Sequence, residues 1–532
     1  MPDRSFPSNQ TGTPIGLMAL IQELDLPVRL PAVQSWSRAG ARKTSVTSPA
    51  IKEYYPPGYA PQGFIGNLKF ALRYEPVDLS IYYPLFKVVE SELLEEWIRR
   101  EPTSAYARRA WFLYEFLTGK TLDAPDVPPT GYVNILDPKL HVTGPVRKIR
   151  RQRVNNNLLG DHTYCPVIRR TDVLNRAMSA GLDLEARSLV DSCEPTILTR
   201  AVHYLYTKET KSSFAIEGEV PNAKRTERFV AALTGAANFD TSDPHAFINL
   251  QNAIVDPRYA ATGWRTVQSF IGETMSDFRE HVHYVCPKPD DLANLMNGWM
   301  RMMENLRGSN IDPICAAAAA SFGFVFIHPF EDGNGRIHRF LVHQQLASFR
   351  FTPSQLLFPV SAVMLRDRRR YDEVLEGFSQ SVSPFIDSDL NQEGSLLVNN
   401  ETAHLYRFWD ATAFAEYLYD CVAETIHTDL KQEIGLLKVF DAAIRATMEV
   451  VDMPDRRASL LVRLVLQNKG RLSQVKRATF SELSDEEIAA IEAAVASCTQ
   501  GSLSEELTLA GDIEAAERVM HEDRDALKKL AE

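Results

Sequence analysis

From about residue 80 onward, apolar positions recur every three or four residues. Leu85, Val88, Val89, Leu93, Leu94 and Trp97 form one such series. Ala105 to Leu117 forms a second, and residues 194–218 a third that stops at Gly218. Leu292 to Met303 is helical by the same test, as are Tyr406 to Leu430, Leu436 to Val451 and Leu460 to Leu466. A last, acidic pair of helices is expected from Asp485 onward. Ile314 to Ile327 is apolar throughout except at Ser321 and Gly323, which predicts a helix buried on every face. It is shorter than the ~20 residues needed to cross a bilayer. Strand-like stretches are few. Val267 to Ile271 and His281 to Val285 predict a β-hairpin within 267–285, with Gly272 and Asp277 in its connection and Cys286-Pro287-Lys288-Pro289 as its stop.

These patterns predict a mainly α fold: a helical core with a small β-hairpin flap, and helical N- and C-terminal regions. Residues 1–80 read as an irregular arm, because prolines recur and Tyr54-Tyr55-Pro56-Pro57-Gly58-Tyr59 is rich in turns. Residues 81–190 read as a helical N-terminal region, 191–399 as the core and 400–532 as a helical C-terminal module. Residues 123–143 are proline-rich and read as a long surface connection.

Composition narrows the function classes. The 532 residues are 45% hydrophobic and 24% charged, as in globular proteins, and are enough for two or three domains. The net charge of −11 argues against a general nucleic-acid binder. Two basic runs depart from it: Arg147 to Arg153, and Arg456 to Arg477, which holds no acid. An ion-paired or solvated face is the commoner cause of such runs. The 6 cysteines are scattered without a CxxC pair, which fits a reducing compartment. The N-terminus lacks a charged-then-apolar signal pattern, so a cytoplasmic protein is expected.

The chemistry is concentrated at 328–339, His-Pro-Phe-Glu-Asp-Gly-Asn-Gly-Arg-Ile-His-Arg. Pro329 cannot continue the apolar helix and biases His328 toward an extended backbone. Phe330 reads as an apolar anchor for the loop. Gly333 and Gly335 allow a tight turn that brings N–H groups close to a ligand. Ile337, Phe340, Leu341 and Leu346 then resume helical spacing, so the turn sits at a helix N-terminus, a natural anion site. Arg336 and Arg339 share one face of the first turn and carry forked donors suited to phosphate. Asp332 beside bound phosphates calls for a cation between them, for which Mg²⁺ is the obvious choice. His328 is the natural general base. The stretch matches neither a P-loop nor a calcium loop, and it fails GxGxxG at its last position. His338 and His343 lack metal spacing and read as ordinary surface or core residues.

Residues 328–339 resemble the Fic signature HPFx[D/E]GNGRxxR at every fixed position, and a looser resemblance extends over about 190–385. The resemblance implies an all-helical core that transfers AMP from ATP to a protein Ser, Thr or Tyr hydroxyl. In that scheme His328 is the base, Asp332 holds Mg²⁺, and Gly333, Asn334, Gly335 and Arg336 cradle the phosphates. Arg339 reaches the γ-phosphate, and Ile337 and His338 fall within the same ATP-binding stretch. The kinase branch lacks the second glycine, so Gly335 favours AMP transfer. Upstream, Ser213-Phe214-Ala215-Ile216-Glu217-Gly218 resembles the family's inhibitory pattern [S/T]xxxE[G/N], in the class with an N-terminal inhibitory helix. Ser213 and Glu217 then act as a brake, Glu217 pairing with Arg339 and denying it to ATP. The hairpin 267–285 resembles the flap on which a target strand docks by β-addition. That implies His281, Val282, His283 and Tyr284 lie near the nucleotide. Pro359-Val360-Ser361 and Tyr371 to Leu375 also resemble the family. Tyr371 borders the adenine on this reading, although Asp372 stands where the family has a second aromatic.

The resulting expectation is an autoinhibited protein adenylyltransferase using ATP and Mg²⁺, with a protein target on the flap. Self-modification and a homodimer stay open, and no membrane partner is expected. Two alternatives compete: removal of AMP by water that Glu217 orients, and a nucleotide-sensing regulator that binds nucleic acid through 456–477.

Overall fold

The computed structural model describes residues 12–47, 50–274, 280–353, 356–391 and 394–499. The fold is mainly α with small sheets, as expected. The chain divides into two compact units. One comprises Met1–Gly181, Ser212–Phe351 and Met364–Cys421; the other comprises Leu182–Lys211, Thr352–Val363 and the chain from Val422 on. This division departs from the four consecutive segments expected. The second unit starts at 422 rather than 400 and also takes in two earlier stretches.

From residue 12 on, the described part of the first unit holds regular strands and helices, which corrects the irregular arm expected over 1–80. Strands Thr13–Pro14, Val33–Ser37, Ala50–Tyr55 and Lys43–Thr47 form a sheet in that spatial order, with Val33–Ser37 and Ala50–Tyr55 parallel. Pro56 and Pro57 directly follow the last strand in sequence, so the prolines read as signs of irregularity mark a boundary. Tyr55 is buried edge-on against Phe70 of helix Gly63–Tyr74, with ring centroids 5.0 Å apart. Helices Leu79–Val88, Ser91–Arg100 and Ala105–Thr118 build a second, larger cluster around Trp97, Trp111 and Leu113. Asp78 starts the first of these by accepting from the Ser80 N–H.

The surface connection expected over 123–143 is partly internal. Val133–Asn134 pairs with Val154–Asn156, and Ile135 and Leu136 are fully buried. The basic run 147–153 supplies the first strand and the turn of a hairpin, Arg147–Ile149 pairing with Val154–Asn156. There Arg151 pairs with Glu115 at 2.5 Å and lies 4.8 Å over the Trp111 ring. Arg147, Lys148 and Arg150 are exposed, so the run is a largely solvated face with one ion-paired arginine.

Helix Pro313–Ile327 is buried on all sides from Ile314 to Ile327. Asp312 caps its start, accepting from Ile314 N at 3.1 Å and Cys315 N at 2.9 Å, with Pro313 in the first turn. Gly323 reads in sequence as a break. In the structure it gives room to the Tyr164 hydroxyl, which a Cβ there would overlap. Trp299 of helix Pro289–Leu306 donates to the Ala320 carbonyl at 2.9 Å.

The second unit is helical. Lys431–Val450, Asp455–Gln467 and Asp485–Thr499 pack around Ala443, Leu461, Val465, Ile488 and Val495. The second member of the expected acidic pair lies outside the described residues. Arg457 pairs with Glu482, and Arg477 with Asp485 at 2.5 Å. Two basic residues of the acid-free run 456–477, one near each end, therefore meet acids just downstream. Among the described residues no helix is long and apolar enough to cross a membrane.

Candidate active site

The apolar helix ends at His328, whose backbone is left-handed (φ 51°, ψ 58°) rather than extended. The expectation from Pro329 fails because His328 serves as the helix cap, its N–H still donating to the Phe324 carbonyl at 3.0 Å. The ring Nδ1 lies 3.1 Å from the Val325 carbonyl. A carbonyl can only accept, so Nδ1 carries the hydrogen and Nε2 keeps its lone pair. Burial, and to a lesser extent the Arg265 charge, push the His328 pKa down to about 4, so the ring is neutral at physiological pH.

Asn334 closes the loop that follows. Its side chain accepts from Phe330 N at 3.0 Å and donates to the Phe330 carbonyl at 2.7 Å. Both side-chain groups of Asn334 are thus spent on loop shape, and Phe330 is fully buried as the anchor it was expected to be. Gly333 sits at φ 93° and caps helix Asn334–Ser348, so the turn does deliver a helix N-terminus.

Both arginines of the motif are buried, at 1% and 0% exposure. Arg336 bonds Asp332 at 2.7 Å and the Ile254 carbonyl at 3.2 Å, and pairs with Glu219 at 3.0 Å. Arg339 donates from Nε to Ser213 Oγ at 2.8 Å, and from Nη2 to the Ser213 carbonyl at 2.8 Å and to Glu217 Oε1 at 2.6 Å. The carboxylate side chains of Glu217, Glu219 and Asp332 are partly exposed. Buried cations are thus matched by carboxylates that solvent can reach. Burial raises the Glu217 pKa, but Arg339, Arg336 and Arg368 outweigh it and hold the group below the usual range.

The backbone explains where Glu217 stands. Helix Pro195–Ile216 ends in a double turn: Gly218 N donates to the Ala215 carbonyl and Glu219 N to the Phe214 carbonyl, with Gly218 at φ 70°. The sequence read this helix two residues too long. Gly335 leaves the space that Glu217 fills, because a Cβ there would overlap Glu217 Oε1.

Other expected residues stand elsewhere. Ile337 and His338 are fully buried, with the His338 ring 4.6 Å from Phe322. Of the surface and core readings left open for His338, the structure gives the core one. His343 is buried too. Tyr371 is buried and stacked on His338 at 6.2 Å, as a core tyrosine would be. In the hairpin, the first strand is Phe270–Thr274 rather than 267–271 and the second is Glu280–Val285. Gly272 lies within the strand, not in the connection, and Asp277 lies outside the described residues. Tyr284 is buried and donates its hydroxyl to the Phe326 carbonyl. Val282 is partly buried, and His281 and His283 lie together at 4.6 Å between ring centroids.

Three residues escaped the sequence reading. Arg265 donates to the carbonyls of His328 at 2.8 Å, Val267 at 2.8 Å and Pro287 at 2.6 Å, stapling both ends of the hairpin to the motif loop. Gln251 donates to the Asp332 carbonyl at 3.2 Å. Glu219 balances Arg336. Glu219 adjoins the inhibitory pattern and was open to notice; the other two lie far from the motif in sequence and carry no local signal.

The geometry thus sets a helix N-terminus and two buried arginines beside a neutral histidine. Residues 241–346 match the model of the Fic/DOC family. Over 124 residues it is 31% identical to a protein of Nematostella vectensis named protein adenylyltransferase Fic, covering 23% of this chain and 25% of that one. Over 81 residues it is 38% identical to the Drosophila melanogaster protein of the same name, covering 14% and 16%. The matched stretch thus spans a quarter or less of these relatives. A solved Fic family protein from Desulfovibrio desulfuricans G20 aligns at 20% identity and TM-score 0.35, covering 52% of this chain and 80% of that one. A Fic domain containing signaling protein from Bacteroides thetaiotaomicron aligns at 16% identity and TM-score 0.34, covering 50% and 97%.

Proposed function

We propose that the chain is an autoinhibited protein adenylyltransferase that moves AMP from ATP to a hydroxyl of a target protein or of itself. The observation that carries this reading is the Nδ1 contact of His328 with Val325, which leaves Nε2 free to accept a proton beside a helix N-terminus. In the proposed reaction a Ser, Thr or Tyr oxygen attacks the α-phosphorus and its proton passes to Nε2. The bond from the α-phosphorus to the bridging oxygen breaks, and pyrophosphate leaves. The N–H groups after Gly333 and the charge of Arg336 favour the phosphates. Asp332, a partly exposed carboxylate oxygen donor, suits Mg²⁺, which when bound would offset charge on the leaving pyrophosphate. The target strand docks along the hairpin 270–285. The brake is the Glu217–Arg339 pair: an ionised carboxylate occupies the arginine that the γ-phosphate would take. The free cysteines support a cytoplasmic site of action.

ATP labelled at the α- or the γ-phosphate tests the reaction. Label retained on protein from the α position alone supports AMP transfer. Label retained from the γ position contradicts it.

A second reading has one observation in its favour. Glu217 is ionised yet a third exposed, so it is able to orient a water molecule for AMP removal. Loss of AMP from a pre-modified target that stops in Glu217→Gly supports removal, and continued loss rejects it.

A further inference from the structure

The hairpin carries a cluster of side chains to which the proposed reaction assigns no chemical step. Glu273 lies in the first strand, and His281 and His283 in the second. Each offers one ligand atom, and the three atoms all lie within 4.8 Å of one another. Glu273 Oε1 is 3.6 Å from His283 Nε2. Two donors at ~2.0–2.1 Å from a tetrahedral ion stand about 3.3 Å apart, so closure onto a metal needs only a small movement.

The strand pairing explains how the donors meet. Glu273 is directly opposite His281, and directly opposed residues share a face. The register then skips His283: Gly272 pairs with Val282, but Ile271 pairs with Tyr284. A bulge of this kind re-aims a side chain. Here it accompanies a His283 ring only 4.6 Å from that of His281. Gly272 permits the arrangement, since a Cβ there would come within 2.5 Å of the His281 carbonyl oxygen.

We propose that Glu273, His281 and His283 form a binding site for a divalent transition metal of the zinc class. Two imidazoles and one carboxylate suit that class; Mg²⁺ and Ca²⁺ prefer all-oxygen sets. Three protein ligands leave a fourth position for water or a side chain of a docked partner. Glu273 and His281 are exposed and His283 is partly so, so an ion can reach them without unfolding the core. Because the donors come from both strands, a bound ion ties the hairpin across its width. The site stands whether or not the chain transfers AMP, because its occupancy is read by calorimetry alone.

The test is titration of the full-length chain with ZnCl₂ in a non-coordinating buffer, beside His281→Ala, His283→Ala and Glu273→Gln. One site is expected in the wild type. Residues that merely support a metal ligand cost 10–100-fold in affinity when lost, so removing either histidine should weaken the site by about 100-fold or more. X-ray absorption of the zinc-loaded wild type should show nitrogen and oxygen neighbours. Absence of zinc uptake, uptake unchanged in the histidine variants, or sulfur around the ion each overturns the proposal.

Discussion

Arg339 Nη2 lies 2.6 Å from Glu217 Oε1, and that same oxygen fills the space that a side chain on Gly335 would enter. A residue of the motif and a residue just past the end of helix Pro195–Ile216 are therefore fitted to each other. The tight turn falls on Gly333, while the second glycine, Gly335, lies within helix Asn334–Ser348 and makes room for the carboxylate that holds the arginine.

Gly335→Ala should force Glu217 from its place. Overpacking of this kind costs about 1–3 kcal/mol. The variant should melt earlier than wild type. If Glu217 is the brake, it should also accept more nucleotide, which calorimetric titration with ATP measures.

Asn334→Ala removes both bonds that close the loop on Phe330. At about 1 kcal/mol each, the loss is about 2 kcal/mol, and it leaves Phe330 N and O unpaired in the interior. Denaturant unfolding should show this. Because His328 belongs to the same loop, turnover should fall more than nucleotide affinity does.

Arg265→Met strips donors from the carbonyls of His328, Val267 and Pro287. A buried carbonyl left without a partner costs about 1–3 kcal/mol, which applies most directly to Pro287. Faster amide exchange is expected in the strands Phe270–Thr274 and Glu280–Val285, with exchange in the helix Asn334–Ser348 little changed. Equal protection in both proteins would show that Arg265 is no staple.

The pKa of His328 sets a pH dependence with a definite sign. The folded value is about 4 and the ordinary value is 6.5. Between these the unfolded chain binds a proton that the folded chain does not. The stabilisation is therefore full above pH 6.5 and is lost as pH falls toward 4. Its upper bound is about 3 kcal/mol, at ~1.4 kcal/mol per pH unit. His328→Gln should lose less stability than wild type between pH 6.5 and 4 in urea titrations. Parallel curves would place the shift elsewhere.

Much of the site was legible in the sequence because its residues are contiguous. His328, Asp332, Gly333, Arg336 and Arg339 lie within one loop and one helical turn, so spacing alone brings them together. Glu217 was legible through its pattern with Ser213 and Gly218. Arg265 and Gln251 were not, since a side chain that bonds distant carbonyls leaves no periodic trace. Neither was the left-handed backbone of His328, where helix capping overrides the preference set by Pro329. The N-terminal sheet was missed for a different reason. Its strands are short and partly polar, and prolines next to them in sequence resemble those of irregular chain.

The most direct test of the central claim is the intact mass of the full-length chain after incubation with ATP and Mg²⁺. The account predicts little or no added AMP on the wild type, AMP added to Glu217→Gly, and none on Glu217→Gly combined with His328→Ala. Equal modification of the wild type and Glu217→Gly, or modification that persists without His328, would contradict it.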